Sequence, residues 1–189
     1  MRIQVNEHLY IRPLRIEDAP DFYEAIDTGR MHLREWLLWV DTLTSVAQAE
    51  TTIKEAIENA DQGRSYRFGV FYDEHFIGVV EIKNINRYCD GAQIGYWLSP
   101  EWQGKGIMTG CVRALTAYCF DVLNLRRVSV SIADANKKSR AVPERLGFVH
   151  EGTLRECMCY YGVYYDEIIY GMLKRANQGE SFNDLYFIN

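Results

Sequence analysis

Apolar and polar residues alternate through LYIRPL, from Leu9 to Leu14, and the spacing lengthens near Glu17. A period of two predicts a half-buried strand, and its loss predicts entry into a helix. Pro20 in DAPDFYEAI fits that helix only in its first turn, where a missing N–H costs no hydrogen bond. RMHLREWLLWVD then predicts a second, short helix carrying Trp36 and Trp39. A third runs through SVAQAETTIKEAIENADQG, where Val46, Ala49, Ile53, Ile57 and Ala60 share one face. Ser45 and Gln48 have the spacing of a capping box, and Gly63 suits the helix end.

Strand patterns follow. SYRFGVFYD and FIGVVEIKNI, joined at Asp73-Glu74-His75, predict a hairpin, and CDG at 89–91 turns the chain into a third strand, AQIGYWLSP. Residues 109–123 return to helical spacing, with Val112, Leu115, Cys119 and Val122 as the apolar positions. RRVSVSIA predicts a strand and SRAVPERLGF a short helix closed by Gly147. VHEGTLRECMCYYGVYYDEIIYGMLK predicts two long strands joined around Gly162. The order β-α-α-α-β-β-β-α-β-α-β-β describes a mixed α/β single domain without regular parallel alternation. The polar stretch from Arg175, with its late LYF, matches none of these patterns.

Composition changes this picture little. At 189 residues, 48% of them hydrophobic, the chain can bury a real core. Its 21 basic and 26 acidic residues give a net charge of −5, and no Lys/Arg cluster in the sequence offers a stripe for nucleic acid. MRIQVNEHLYIRPL lacks an apolar leader core and no apolar run approaches membrane-spanning length, so a cytoplasmic protein off the membrane is expected. Five cysteines without C-x-x-C spacing predict neither a disulfide framework nor a structural zinc site. Cys157 and Cys159, two apart on one face of a strand, have the placement for metal binding, but half-buried core sulfur is the expectation.

Candidate chemistry gathers in EWQGKGIMTGCVRAL, residues 101–115. Gly104 and Gly106 bracket Lys105 where strand gives way to helix. Two readings are open: a tight connection that needs flexible backbone, or a cradle for an anion. No Walker pattern is present, and Thr109 stands where a dinucleotide fingerprint needs a third glycine. Free backbone N–H groups at a helix N-terminus beside a lysine suit a pyrophosphate. Gly95 inside the preceding strand predicts a bulge or a close backbone approach, and Ser99-Pro100 stops that strand just before the loop.

IGYWLSPEWQGKGIMT resembles the acetyl-CoA-binding motif of the GNAT N-acetyltransferases, whose core pattern is Q/R-x-x-G-x-G/A. Here it reads Gln103-Gly104-Lys105-Gly106-Ile107-Met108, with Met108 in place of Gly or Ala. GYWL followed by QGxGIM and Ser or Thr is similar to the RimJ/RimL branch, the ribosomal-protein N-terminal acetyltransferases. NKKSRAVPERLGF, LYIRPLRIEDA and YYGVYYDEIIYGML resemble other segments of that branch in the same order. The likeness spans 8–174, which bounds the implied domain and leaves 175–189 as a tail. The implied fold is α/β (α+β mixed sheet): a central, mostly antiparallel sheet, splayed at the CoA-binding strand and flanked by helices.

The resemblance implies an enzyme that passes an acetyl group from acetyl-CoA directly to an amine, with no metal. Backbone at Trp97 and Leu98 is then expected to hold the pantetheine arm, and Gln103, Gly104, Lys105, Gly106, Ile107, Met108 and Thr109 the pyrophosphate. Asn136 corresponds to an asparagine on the pantetheine side, although it also suits a helix cap. Pro143 stands where the superfamily carries its acid tyrosine; the branch uses a serine matching Ser139, which could equally cap a helix. Gln93 and Met158 replace family carboxylates. Glu81 on the preceding strand is the remaining candidate base, ahead of Glu156 and His32, and is also readable as a solvated strand residue. Trp36 and Trp39 fall in the segment bordering the acceptor, either stacking on it or anchoring the core. Closing strands of this type pair in family dimers, so a homo-oligomer is a further expectation.

A missing base favours an acceptor that gives up its proton easily. An α-amine has a pKa of about 7.7–8.0 and a lysine-type amine about 10.4. At pH 7 the neutral form costs about 1–1.4 kcal/mol for the first and about 4.6 for the second. The expected acceptor is a protein N-terminus, with a small-molecule amine or a non-catalytic CoA-binding module as alternatives.

Overall fold

The alternation at Leu9–Leu14 becomes a strand whose two faces feed two different cores. Leu9 and Ile11 join one apolar cluster, and Tyr10 between them joins the other. In the computed structural model, which describes residues 1–174, this strand is β2 (Leu9–Pro13). The tail 175–189 lies outside the described residues. With β1 (Ile3–Gln4), β3 (Tyr66–Tyr72), β4 (His75–Asn86), β5 (Gly91–Leu98), β6 (Arg127–Ala133), β7 (Val149–Tyr160) and β8 (Val163–Leu173), it forms one sheet. The strand order is β1-β2-β3-β4-β5-β6-β8-β7.

Helices α1 (Ala19–Leu33) and α2 (Val46–Asp61) supply one cluster, with Phe22, Ile26 and Ile53 fully buried. Helix α3 (Ile107–Asp121) supplies the other, where Cys111, Val112, Leu115 and Phe120 are 0% exposed, and α4 (Lys137–Arg145) packs on its edge. Burial of each such large side chain stabilises the fold by about 1.5–3 kcal/mol. Burial also pushes the Cys111 and Cys119 thiols up to about 12, which keeps them protonated and inert.

Local signals explain the element boundaries. Pro20 sits in the first turn of α1. The Ser45 hydroxyl caps α2 by accepting from the Gln48 amide at 3.3 Å, while Gln48 Oε1 reaches one residue further back, to the Thr44 amide at 2.7 Å. Asp73 and Glu74, with φ of 45° and 66°, make the two-residue left-handed turn that matches hairpin twist.

Four expectations need correction. RMHLREWLLWVD is not a helix of its own. Arg30–Leu33 complete α1, Leu37 is non-helical with φ −131° and ψ 87°, and Leu38–Asp41 form one 3-10 turn. The Arg30 guanidinium takes the carbonyls of Val40 and Leu43, so this loop's backbone is satisfied without a helix. Ile57 and Val122 do not lie on the buried faces their spacing predicts: Ala56 takes the inner position in α2, and Val122 lies past the end of α3, 61% exposed. Cys157 and Cys159 are exposed, because β7 is an edge strand whose register slips between Leu154 and Met158. Gly95 carries no bulge: it pairs in register with Glu81, and the irregularity lies on β4 between Lys83 and Asn86, where Asn84 has φ 52°.

The pairing that matters most is the weakest. β5 and β6 are parallel neighbours only at Gly91–Gln93 and Arg127–Ser129. From Ile94 onward, among the described residues, β5 pairs with β4 alone.

Candidate active site

Where β5 leaves β6, an open cleft of about 1920 Å³ forms, lined by β5, the loop 103–106, the start of α3 and the first turns of α4. In an antiparallel ladder, alternate residues turn their N–H and C=O groups to opposite edges. The Ser99 amide donates to the Ile77 carbonyl at 2.9 Å, and in that register Trp97 with Val79 and Gly95 with Glu81 are also bonded pairs. A Cβ at Gly78 would accordingly strike the Trp97 carbonyl. The groups turned to the open edge belong to Ile94, Tyr96 and Leu98, and the Leu98 carbonyl accepts from Gln103 Nε2 at 3.1 Å. Of the two residues expected to offer backbone, Leu98 faces the cleft and Trp97 faces β4. Trp97 contributes its ring, which packs against Phe22, Trp39 and Phe76.

Gly104 and Gly106 have φ of 75° and 76°, and a Cβ on either would meet nothing within 4 Å. Glycine is therefore needed for left-handed backbone, not for space. Gly106 caps α3, and the Gly110 amide closes the first helical bond to its carbonyl at 3.1 Å. The amides of Ile107, Met108 and Thr109 have no acceptor within the helix and carry the positive end of its dipole. Ile107 and Met108 turn their side chains into the core, at 7% and 8% exposure, so methionine in the motif leaves those amides in place. Lys105 Nζ sits 4.9 Å from the Trp102 ring centre. Arg113, Lys137, Lys138 and Arg145 join Lys105 in the lining. Scattered in sequence, these residues gave no cluster to read; the fold converges them on one cleft.

On the α4 side, Asn136 is the helix cap, its Oδ1 accepting from the Ser139 amide at 3.2 Å. Both residues line the cleft. The Ser139 carbonyl accepts from the Tyr96 hydroxyl at 2.8 Å.

Beyond Gly95, Glu81 lies in the lining with Arg67 Nε at 2.9 Å and Lys83 Nζ at 3.8 Å. A Cβ at Gly95 would sit 3.1 Å from Glu81 Oε1 and 3.2 Å from Lys83 Nζ, so the glycine makes room for this ion pair over the strand. Gln93 is occupied by Asn84 Nδ2 at 2.9 Å and Ser131 Oγ at 2.7 Å. Met158 lines the cleft, and Glu156 sits in the β7 bulge outside the lining, its amide donating to Asp166. His32 Nε2 lies 2.9 Å from Gln103 Nε2. Glu35, Arg67 and Lys83 also line the cleft. Sequence reasoning missed them because nothing local marks a residue that pairing across strands will bring there.

Trp36 and Trp39 both line the cleft. Trp36 meets the rings of Tyr160 and Tyr165 edge-on, with centroids at 5.6 and 5.4 Å, so the loop after α1 touches the β7–β8 hairpin across the mouth. Asp41 reinforces that contact: its Oδ2 accepts from Tyr161 at 2.6 Å and Arg34 at 3.0 Å, bonds that hold its carboxyl below the usual range.

Residues 8–149 match the acetyltransferase (GNAT) domain. The chain belongs to the GNAT acetyltransferase family. It is 36% identical over 178 residues to the putative ribosomal N-acetyltransferase YdaF of Bacillus subtilis, covering 94% of this chain and 97% of that protein. It is 28% identical over 158 residues to the spermidine N(1)-acetyltransferase of Escherichia coli, covering 84% and 82%. Among solved structures, the RimL ribosomal L7/L12 alpha-N-protein acetyltransferase in complex with coenzyme A superposes with a TM-score of 0.88 at 25% identity, over 92% of this chain and 98% of that one. This GNAT protein is thus an acetyl-CoA-dependent N-acetyltransferase of the RimJ/RimL-like type. Its cleft fits such a cosubstrate on its own features: amides freed by left-handed glycines, a strand edge that β6 does not pair, and the basic side chains of Lys105, Arg113, Lys137, Lys138 and Arg145. Among the described residues, no helix is long and apolar enough to cross a membrane.

Proposed function

We propose that this enzyme acetylates the α-amine of a protein N-terminus. The observation that carries the reading is the charge balance at the acceptor end, where Glu81 and Glu35 are matched by Arg67 and Lys83. Such a lining gives a multiply charged polyamine no net Coulombic attraction. An α-amine, with a pKa of about 7.7–8.0, already has a sizeable neutral fraction at pH 7 and asks least of a base shared with Arg67 and Lys83.

Acetyl-CoA supplies the activated acetyl group, which the amine takes directly: the N–C bond forms as the C–S bond breaks. Around that step the chain binds, orients and moves protons. The amides of the loop 103–109, with Lys105, hold the pyrophosphate. The Leu98 edge of β5 lies along the pantetheine arm, and Asn136 keeps the first turn of α4 beside it. Glu81 accepts the amine's proton, directly or through one water, and the Ser139 hydroxyl gives its proton to the leaving sulfur and regains one from solvent. Trp36 and Trp39 stack on the acceptor.

Thiol release from acetyl-CoA tests this with short peptides bearing free Ser, Ala or Met N-termini, the same peptides blocked at the α-amine, and spermidine. The expected result is release with free peptides only, with mass spectrometry placing the acetyl group on the α-amine. Turnover of spermidine with none on any free peptide overturns the acceptor reading. Coenzyme A binding without release from any amine overturns the catalytic one.

A further inference from the structure

An α-helix bonds each carbonyl to the N–H four residues on. In α4 the donor owed to the Ser139 carbonyl is residue 143, and residue 143 is proline, which has no N–H. That carbonyl belongs to a partly buried turn, where an unpaired acceptor is costly. It is not left unpaired. The Tyr96 hydroxyl reaches it from β5 at 2.8 Å. Tyr96 lies beyond the point where β5 stops pairing with β6, so this bond crosses from one wall of the cleft to the other. Desolvation, with Tyr170 nearby, pushes the Tyr96 hydroxyl well above its ordinary value, so it stays protonated as a permanent donor. The far end of the same helix is fixed separately, by Tyr170 donating to Glu144 at 2.6 Å and accepting from Arg140 Nε at 3.0 Å.

We infer that Tyr96 is the positioning residue for Ser139: its hydroxyl replaces the helical N–H that Pro143 withholds and sets the first turn of α4 on the cleft wall. Pro143 and Tyr96 thus form one device. The proline frees the carbonyl, and the tyrosine uses it to tie α4 across the splay. Asn136 holds the Ser139 amide of the same turn, so both backbone groups of Ser139 are fixed by side chains where the residue lines the cleft.

A mutant cycle isolates the bond, because Pro143→Ala restores the missing N–H. Y96F is expected to lower kcat about tenfold, the worth of roughly one hydrogen bond, with the KM for acetyl-CoA changed less than about threefold. In the P143A background the same tyrosine change is expected to cost less than about twofold, because the restored N–H now serves the carbonyl. A tyrosine that merely fills space would be replaced by phenylalanine without loss in either background, and a hydroxyl acting elsewhere than on the Ser139 carbonyl would be missed equally in both; either result overturns the inference. If Y96F fails to fold, the cycle is read in melting temperature: recovery in Y96F/P143A supports the inference and its absence refutes it. The inference rests on Ser139 as the proton donor, and S139A separates the two. Full turnover by S139A removes the donor role, while the rescue of Y96F by P143A, read in melting temperature, still decides the tie.

Discussion

Replacing Gly106 with alanine separates two things the glycine loop does. A Cβ there meets nothing within 4 Å, so the substitution introduces no clash, only strain at φ 76°. That strain is about 1–2 kcal/mol, and the stiffer unfolded chain returns about 0.4–1 of it. The net loss of about 0.5–1 kcal/mol lowers the melting temperature by about 1–4 °C in a domain of this size. Binding should suffer more. If the loop relaxes to right-handed backbone, the first-turn amides of α3 swing away from the pyrophosphate position. Losing one hydrogen bond to a charged group costs about 1.5–3 kcal/mol, or about 10–100-fold in the Kd for coenzyme A. Calorimetric titration with coenzyme A and a thermal melt read the two effects separately. Gly152→Ala is the control: that site also has open space but no left-handed backbone, so affinity there should stay within about twofold. G106A with parental affinity and an unchanged or higher melting temperature would refute the assignment of this loop's amides to an anion.

Two further outcomes follow from the site and the sheet. W36A should raise the KM for the acceptor about 2–10-fold, the worth of one aromatic contact, and leave coenzyme A affinity within about twofold; equal weakening of both ligands would make Trp36 a structural anchor alone. Glu151 is bonded to Arg127, and that bond holds its carboxyl below the ordinary value of 4.5. A depressed carboxylate contributes stability above its unfolded pKa and loses it as pH falls through the folded one. The melting-temperature difference between the parent and E151Q should therefore shrink from about pH 5 to about pH 3, and a constant difference would show that the pair contributes nothing through ionisation.

The sequence exposed what is set within a few residues and hid what is set by pairing. Ser45 with Gln48, the Asp73-Glu74 turn, Pro20 in a first turn and the Gly104/Gly106 loop were legible because each is a local backbone requirement. The supposed helix at 30–41 misled because its aromatics satisfy a helical pattern, whereas its backbone is held by Arg30 from the preceding helix. Cys157 and Cys159 misled because β7 is an edge strand, and Cys157 lies in a bulge where the Glu156 amide bonds to Asp166 ten residues on. The basic lining was invisible for the same reason: Lys105, Arg113, Lys137, Lys138 and Arg145 lie on separate segments.

Two of the departures from the family pattern, Met108 and Pro143, are accounted for through backbone. Met108 replaces a small residue, yet its side chain turns into the core and the motif's working part, an amide in the first turn of α3, survives. Pro143 replaces a tyrosine and also deletes an N–H, a double loss in side-chain terms. Read as backbone, the deletion frees a carbonyl on the cleft wall, and Tyr96 arrives from the opposite strand to take it. A tyrosine hydroxyl thus still stands beside this turn of α4, bonded to the backbone of Ser139. An aligned motif that scores only side-chain identity would count both positions as decay.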